Sequence, residues 1–518
     1  MGVPGLRCRQ GGVCERERAV GGLSPAIPVA SESESEYQLA DMGGTVYDLA
    51  VIGSGPAGEK AALEASSLGA RVVVIERECS PGGASVLTGT IPSKSLRETV
   101  QYIGSLSQSE ISGIDPHLRR KVTVKELMHR KNRVVADRVR KTLEAYKNNG
   151  IEYIRGSARF LRPDSIAVRR TDSGEPLRIQ VRKSIIAVGT RPYHPPDIPF
   201  DHTTILDSDS ILALQRIPEE MCVYGGGVIG CEYASIFAKL GTEVHLIDPR
   251  GRLLDFIDCD LSTKLVELMK ESGIVLHLGD RYKRIATENG RVRIDLASGR
   301  RYDFPILLYA NGRQGLAGGL SLENCGISLN RKSQLDVNQN YQTSVPTIYA
   351  AGDIIGFPSL VSVANEEGRL AALHAVSGRS VQRFGSDIPS AIYTIPEIAT
   401  VGPGEEECRK RGIPCLTGVC HFRDLARGYM IGERNGLLKL VFRRDTLELI
   451  SVHILGQSAA ELIHIGQAVI GHRGKIDYFI DTVFNFPTLS LAYKVAARNG
   501  ICKLDDSRRT ISAHHCKS

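Results

Sequence analysis

Residues 47–58 read YDLAVIGSGPAG, and the fold follows from how that run is parsed. Tyr47 to Ile52 make a short apolar strand that runs straight into a glycine turn, and the KAALEASSLGA beginning at Lys60 has helical composition. Strand, glycine turn and helix in that order form a phosphate-binding unit. Gly53 permits the tight turn, Gly55 lets a pyrophosphate approach the backbone, and Gly58 lets the helix pack on the strand. The helix N-terminus then presents N–H groups and a positive dipole to the phosphates. The next strand, ARVVVIE, ends in Glu76, where a carboxylate would accept hydrogen bonds from a ribose diol.

The same grammar recurs in MCVYGGGVIGCEYASIFAKLGTEVHLID, residues 221–248, with Gly225, Gly227 and Gly230 in the turn and Asp248 ending the following strand. A single glycine turn is weak, because such turns also serve ordinary chain reversal. Two complete units predict two dinucleotides. Between them IIAVGTRPYHPP breaks at Gly189 into a proline-rich turn suited to a crossing between domains, and beyond the second unit PTIYAAGDIIG delivers Asp353 at a strand end. An acid there could hold the hydroxylated chain of a flavin; it could equally be a turn former after Gly352. From about Ser386, strand-like runs (LLKLVF, ELISVHILG) alternate with a helix-like one (AAELIHIGQAVIGH). The expected fold is therefore α/β, with two Rossmann-like dinucleotide-binding domains and a C-terminal α+β domain. The expected boundaries are 44–193 for the first segment of the first domain, 194–316 for the second domain, 317–385 for the return to the first, and 386–510 for the last.

Composition bounds the rest. The chain has 518 residues, 42% of them hydrophobic, enough for large cores and roughly three domains. The charge of +7, from 65 basic and 58 acidic residues, is spread along the chain and indicates no nucleic-acid partner. No apolar run approaches bilayer length, so no membrane is expected. Twelve scattered cysteines without a CxxC pair or zinc spacing fit a reduced, cytoplasmic protein without a metal. Cys415 and Cys420 imitate a redox pair, but an odd offset along a strand puts them on opposite faces. Residues 1–43, rich in Gly and Ser with mixed charge, read as a disordered extension before Met42.

The order of motifs resembles the two-dinucleotide-binding-domain flavoproteins, the group of glutathione reductase and dihydrolipoamide dehydrogenase, from Tyr47 to about Leu504. GSGPAG, GTIPSK, IIAVGTRP, GGGVIGCE, YAAGD and NFPT carry the resemblance. It implies FAD on the first unit, NAD(P) on the second and a homodimer through the C-terminal domain. It also implies a Lys94 and Glu232 ion pair near the reactive flavin nitrogen, and cofactor contacts at Gly83, Gly189 and Gly312.

One departure is systematic. Within PGGASVLTGTIPSKSLRE, residues 81–98, Ser85 and Thr90 stand where disulfide reductases carry their two cysteines. In VFNFPTLSLAY, Phe486 and Leu491 stand where they carry the acid–base His and its Glu. A hydroxyl cannot shuttle electrons through a dithiol, and phenylalanine cannot transfer protons. Electrons that enter a flavin here must therefore leave by a route other than a dithiol. GTIPSK with Thr for Cys, LLYANGRQG, YAAGDIIGFPSL and IYTIPEIATVG look like the soluble pyridine nucleotide transhydrogenases in particular. That subfamily commonly keeps the first loop cysteine and has Tyr at the place of Phe486.

The resemblance thus implies a ping-pong exchange in which NADPH gives up a hydride and leaves, and NAD+ enters the same site to take it. Val228 offers little steric cover, Lys94 would favour negative charge on the reduced flavin, and Glu232 would fix Lys94. Nucleotide choice is the open point. Asp248 suits the ribose of NAD and would repel the 2'-phosphate of NADP, whereas Arg250 and Arg252 in DPRGR would attract it or simply be solvated. An NAD(P)H-dependent diaphorase or quinone reductase needs the same residues, and a silent dinucleotide sensor needs most of them.

Overall fold

The computed structural model describes residues 40–108, 123–380, 385 and 387–515. The expected extension lies outside the described residues up to residue 39. Its last residues, however, belong to the first strand, which runs Ala40–Ile52 and sets Ala40 beside Leu177 and Asp41 beside Arg178. The chain divides into two compact units, residues 1–92, 131–191 and 313–382 in one and residues 93–130, 192–312 and 383–518 in the other.

The first unit is built on parallel strands. In space their order is Glu152–Arg162, Val72–Glu76, Ala40–Ile52, Pro176–Ile186 and Ile348–Ala350, with Ser165–Arg170 joining the two long strands antiparallel. All five residues of Val72–Glu76 are buried, and the four apolar ones before Glu76 make the run expected of a strand covered on both faces. Tyr47, Ile52, Ile75, Phe160, Ile179, Ile186 and Ile348 join one core. The glycine-turn helix Pro56–Ser67 packs against Val361–Ser377 so closely that a Cβ on Gly368 would fall 2.0 Å from the Ala57 carbonyl oxygen. Neither helix could approach the other with a larger residue there.

The second unit repeats the plan. Val275–Leu278, Glu243–Asp248, Glu220–Tyr224, Leu307–Tyr309 and Ile205–Leu206 form a parallel sheet, with a three-stranded antiparallel sheet inserted from Tyr282 to Phe304. The C-terminal section is a five-stranded antiparallel sheet, with Ala459–Gly471 and Leu491–His515 against it. Residues after Ser93 pack with this second unit. Leu96, Val100 and Leu127 share a core with Leu246, Leu265 and Ile392, which explains why that stretch leaves the first unit's boundary as read from motifs alone.

Candidate active site

The two glycine turns are built alike to the atom. Gly53 and Gly225 adopt φ of 98° and 115°, and their amides bond to the Ile75 and Ile247 carbonyls, each at 2.8 Å. L side chains rarely reach that conformation. A Cβ on Gly58 would lie 1.9 Å from the Gly53 carbonyl oxygen, and one on Gly230 would lie 1.8 Å from that of Gly225. Gly55 and Gly227 sit at the N-terminal ends of their helices, and no side chain caps either. The first-turn amides are thus left for an outside acceptor, which is what a pyrophosphate supplies. A Cβ on Gly83 would press to 2.7 Å from the Gly55 Cα, so this second glycine keeps the first cradle clear.

The acids at the strand ends do a shared job that their position alone does not announce. Glu76 Oε2 accepts from the Ser54 amide at 2.8 Å and from the Ser54 hydroxyl at 2.6 Å, while Oε1 accepts from the Glu78 amide at 2.9 Å. Asp248 Oδ2 accepts from the Gly226 amide, the equivalent of Ser54. Both carboxylates therefore clamp the second residue of their own glycine turn. Both are buried.

They differ in their cations. Arg250 donates to Asp248 from Nε and Nη2, each at 2.9 Å, and from its backbone amide at 2.7 Å. Burial opposes ionisation of Asp248, but these bonds outweigh it and hold its carboxyl below the usual range. Arg250 also reaches Asp255 through Nη1 at 3.0 Å. Arg252 faces elsewhere, donating to Glu406 at 3.3 Å and to the Asp255 and Ile257 carbonyls at 2.9 and 3.0 Å. The two arginines expected to act together thus share Asp255, Arg250 on its carboxylate and Arg252 on its carbonyl, but only Arg250 reaches Asp248. In the first unit, Arg77 bonds to Glu78 instead of Glu76.

Asp353 lies at its strand end as expected. Thr190 Oγ1 donates to it at 3.2 Å, and Arg313 bonds to the same hydroxyl at 2.9 Å and to the Thr190 carbonyl at 2.8 Å. Burial raises the Asp353 carboxyl above its ordinary value against the pull of Arg313 and Thr190. Gly189 and Gly312 both take positive φ, each a few residues from a passage between the units. Each offers its carbonyl to an amide far along the chain, that of Leu316 to Gly189 and that of Tyr193 to Gly312, both at 3.1 Å.

A small cavity in the first unit is lined by Pro56, Glu59, Ser85, Val86, Thr90, Ile91, Arg138, Val361 and Asn365. Ser85 and Thr90 are brought together on its wall, and Ser85 donates to the Gly82 carbonyl at 3.1 Å. Arg138 grips Glu59 through both carboxylate oxygens at 2.8 Å. That pairing cancels an acid in the first turn of the glycine helix, which would otherwise repel a phosphate at its N-terminus. The sequence reading missed Arg138, because the helix Val124–Asn148 carries no motif.

In the second unit Lys94 Nζ meets Glu232 Oε2 at 2.6 Å. Glu232 is buried, and its other oxygen accepts from the Tyr393 amide at 2.9 Å. Lys94 Nζ also stands 5.1 Å from the centre of the Tyr393 ring. Arg97, fully buried, bonds to the Thr394 carbonyl at 3.1 and 3.0 Å and pairs with Glu397 at 3.2 Å, pinning the same loop. Tyr393 was present in the IYTIPE run, but nothing in the run itself marks it as the support of an ion pair.

Among the described residues, one group has metal-ligand proximity, Asp258, Cys259 and Asp260. The Lys439 ammonium already sits on it, 3.1 Å from Asp258 and 2.7 Å from Asp260. No helix of the described residues is long and apolar enough to cross a membrane. Phe486 is 69% exposed, and Leu491 opens the last helix.

Residues 47–368 match the family model of the pyridine nucleotide-disulphide oxidoreductases, and residues 388–497 match that family's dimerisation domain. Soluble pyridine nucleotide transhydrogenases from Enterobacter sp. (strain 638) and Salmonella typhimurium (strain LT2) are each 42% identical over 461 residues, covering 88% of this chain and 98% of theirs. Among solved structures, LpdA from Mycobacterium tuberculosis is similar with a TM-score of 0.79 and 28% identity, over 87% of this chain and 99% of that one. The Cu(II) complex of the HOCl-induced flavoprotein disulfide reductase RclA from Escherichia coli has a TM-score of 0.80 at 25% identity, over 88% of this chain and 99% of that one.

Proposed function

The chain belongs to the pyridine nucleotide-disulphide oxidoreductases, and from that premise we propose that it transfers hydride between NADPH and NAD+ as an FAD-dependent soluble transhydrogenase. One observation carries the reading. Ser85 and Thr90 line the first unit's cavity where disulfide reductases need thiols, so the chain has no dithiol there to pass electrons onward. Nicotinamides are then both donor and acceptor.

FAD, when bound, supplies a ring that takes a hydride from one nicotinamide and gives it to another. Gly53, Gly55 and Gly58 would hold its pyrophosphate against the uncapped helix, with Gly83 keeping the cradle open and Arg138 offsetting Glu59. Glu76 holds the turn through Ser54, and Asp353, steadied by Thr190, would bind a hydroxyl of the ribityl chain. Gly225, Gly227 and Gly230 do the same for NAD(P). Gly189 and Gly312 shape the chain passages that flank the two sites.

Lys94 and Glu232 do the electrostatic work. Glu232 fixes the ammonium and is itself fixed by the Tyr393 amide, so the cation is oriented before any charge develops. A hydride moving between like rings is close to thermoneutral, so the protein contributes position rather than driving force. Arg250, already on Asp248, neutralises the carboxylate that would repel a 2'-phosphate, which lets NADP share the site with NAD. Arg252, held by Glu406, contributes less. The working form is a homodimer in the cytoplasm, with exposed Phe486 and Val483 among the apolar side chains that a second copy would cover.

The test is anaerobic mixing of the purified protein with NADPH and an NAD+ analogue whose reduced form absorbs at a separate wavelength. Many turnovers per flavin are expected. Bleaching by NADH alone, with no hydride reaching the analogue, would give the chain to the diaphorases.

A further inference from the structure

Besides the group of three ligand types that Lys439 occupies, the second unit carries a pair of histidines. His245 lies on Glu243–Asp248 and His277 on Val275–Leu278, neighbouring parallel strands in which His245 stands opposite Val275. His277 is two residues beyond Val275, so both imidazoles leave the same face of the sheet. Their ring centres are 5.3 Å apart and their planes 21°, with His245 Nδ1 facing His277 Nε2 at 3.1 Å. The outward nitrogens are engaged too. His245 Nε2 stands 3.4 Å from Glu243 Oε1, and His277 Nδ1 stands 3.3 Å from the hydroxyl of Tyr302, on the strand Arg301–Phe304 of the inserted sheet.

We propose that His245 Nδ1 and His277 Nε2 chelate one borderline divalent transition-metal ion of the zinc class. Two zinc–nitrogen bonds of about 2.0–2.1 Å at the tetrahedral angle set their nitrogens about 3.3–3.4 Å apart, so the pair need open by only about 0.2–0.3 Å. The protons balance. A carboxylate can only accept, so His245 Nε2 carries its proton towards Glu243; His245 Nδ1 then accepts from His277 Nε2–H, and His277 Nδ1 accepts from Tyr302. When the ion enters, the His277 proton passes from Nε2 to Nδ1 and the Tyr302 oxygen turns to accept it. Both rings stay neutral, both lone pairs face the metal, and both outward N–H groups keep an acceptor.

A carboxylate behind one ligand and a phenol behind the other is the support that fixes tautomer and ring direction in histidine metal sites. Burial, with His245 and Arg300 acting the same way against Asp280, lowers the His277 pKa and keeps that ring in its ligating form. Arg300 is itself bonded to Asp280 at 3.1 Å. The His245 side chain is 15% exposed, so water can reach the ion and complete its coordination. Leu278, next to His277, pairs with Asp248, three residues after His245, and the ion would thus fasten together the two strands behind the second glycine turn. None of these atoms takes part in hydride transfer, so the metal site and the nucleotide chemistry can fail separately.

The experiment strips the intact holoenzyme with EDTA and titrates it with zinc chloride in a calorimeter. His245→Ala and His277→Ala should each bind one ion fewer per chain than the unmutated protein. Tyr302→Phe, which removes only the outward acceptor, should keep the ion but weaken it about tenfold. In the unmutated protein, saturating zinc should shield His245 from diethylpyrocarbonate, mapped by peptide mass, which decides the matter even if a variant folds poorly. Equal zinc content in all the proteins, with His245 as reactive as before, would place the ion elsewhere, on the His514, His515 and Cys516 run for example, and overturn the proposal. No zinc bound at all would do the same.

Discussion

Arg250 closes over Asp248 through both carboxylate oxygens, Nε on Oδ1 and Nη2 on Oδ2, each at 2.9 Å. Removing that guanidinium would leave a buried carboxylate without its cation, which on the proposed function would repel a 2'-phosphate. Arg250→Ala should therefore raise KM for NADPH about tenfold or more while moving KM for NADH only a fewfold. Arg252→Ala, which loses mainly a Glu406 pair and two carbonyls, should change both by no more than about threefold. Equal shifts for the two nucleotides in Arg250→Ala would remove Arg250 from specificity.

The Lys94 ammonium is held on one side by Glu232 and faces the Tyr393 ring. Lys94→Ala should slow flavin reduction by NADPH about a hundredfold in stopped flow, with little change in nucleotide affinity. Lys94→Arg should recover part of the rate. A variant with full reduction rate and weakened nucleotide binding would mean that the pair serves only structure.

Lys439 is 1% exposed and satisfies Asp258, Asp260 and Glu405 together. Lys439→Met strands Asp258, which also caps the helix Cys259–Glu271 by accepting from the Asp260 amide at 3.1 Å. Urea unfolding should show a loss of about 3–5 kcal/mol. Pairing Lys439→Met with Asp258→Leu should return most of it, less about 1 kcal/mol for the lost cap. If the double variant is no more stable than the single, the cost lies in packing rather than in an uncompensated charge.

His453 is fully enclosed, and burial lowers its pKa to about 4, with Asp258 pulling upward and Lys439 downward. The unfolded imidazole titrates near 6.5. Between those values the unfolded chain holds one more proton than the folded chain, so stability is complete above pH ~6.5 and falls as pH drops towards about 4. His453→Gln should reduce the slope of unfolding free energy against pH by up to about 1.4 kcal/mol per unit in that window. Identical slopes in variant and unmutated protein would exclude His453 as a source of acid sensitivity.

What could be read from the sequence was whatever repeats locally. Each glycine turn, the strand before it and the acid after it lie within about thirty residues, and their spacing carries the geometry. Ser85, Thr90 and the Lys94 and Glu232 pair were legible through resemblance, and the structure joins the last two at 2.6 Å. What stayed hidden needed distant segments. Arg138 reaches Glu59 across 79 positions and Tyr393 supports Glu232 across 161, and no local periodicity encodes either. The ribose role expected of Asp248 rested on position, which does not reveal that its oxygens also hold Gly226 and Arg250. Cys415 was weighed against Cys420 because both lie on one strand, and there Cys420 is buried while Cys415 is half-buried.

The first unit's sheet is completed only when Ile348–Ala350 pairs with Pro176–Ile186. A ribosome releases about 5–20 residues per second, so the roughly 160 residues between those strands keep that sheet edge waiting for about ten to thirty seconds. Meanwhile the intervening nucleotide fold can emerge and close upon itself. The Asp353 that follows the last strand arrives later still. Completion of the first unit is consequently a late event in the birth of this molecule, and the open edge of the waiting sheet is where a nascent chain would most need a chaperone.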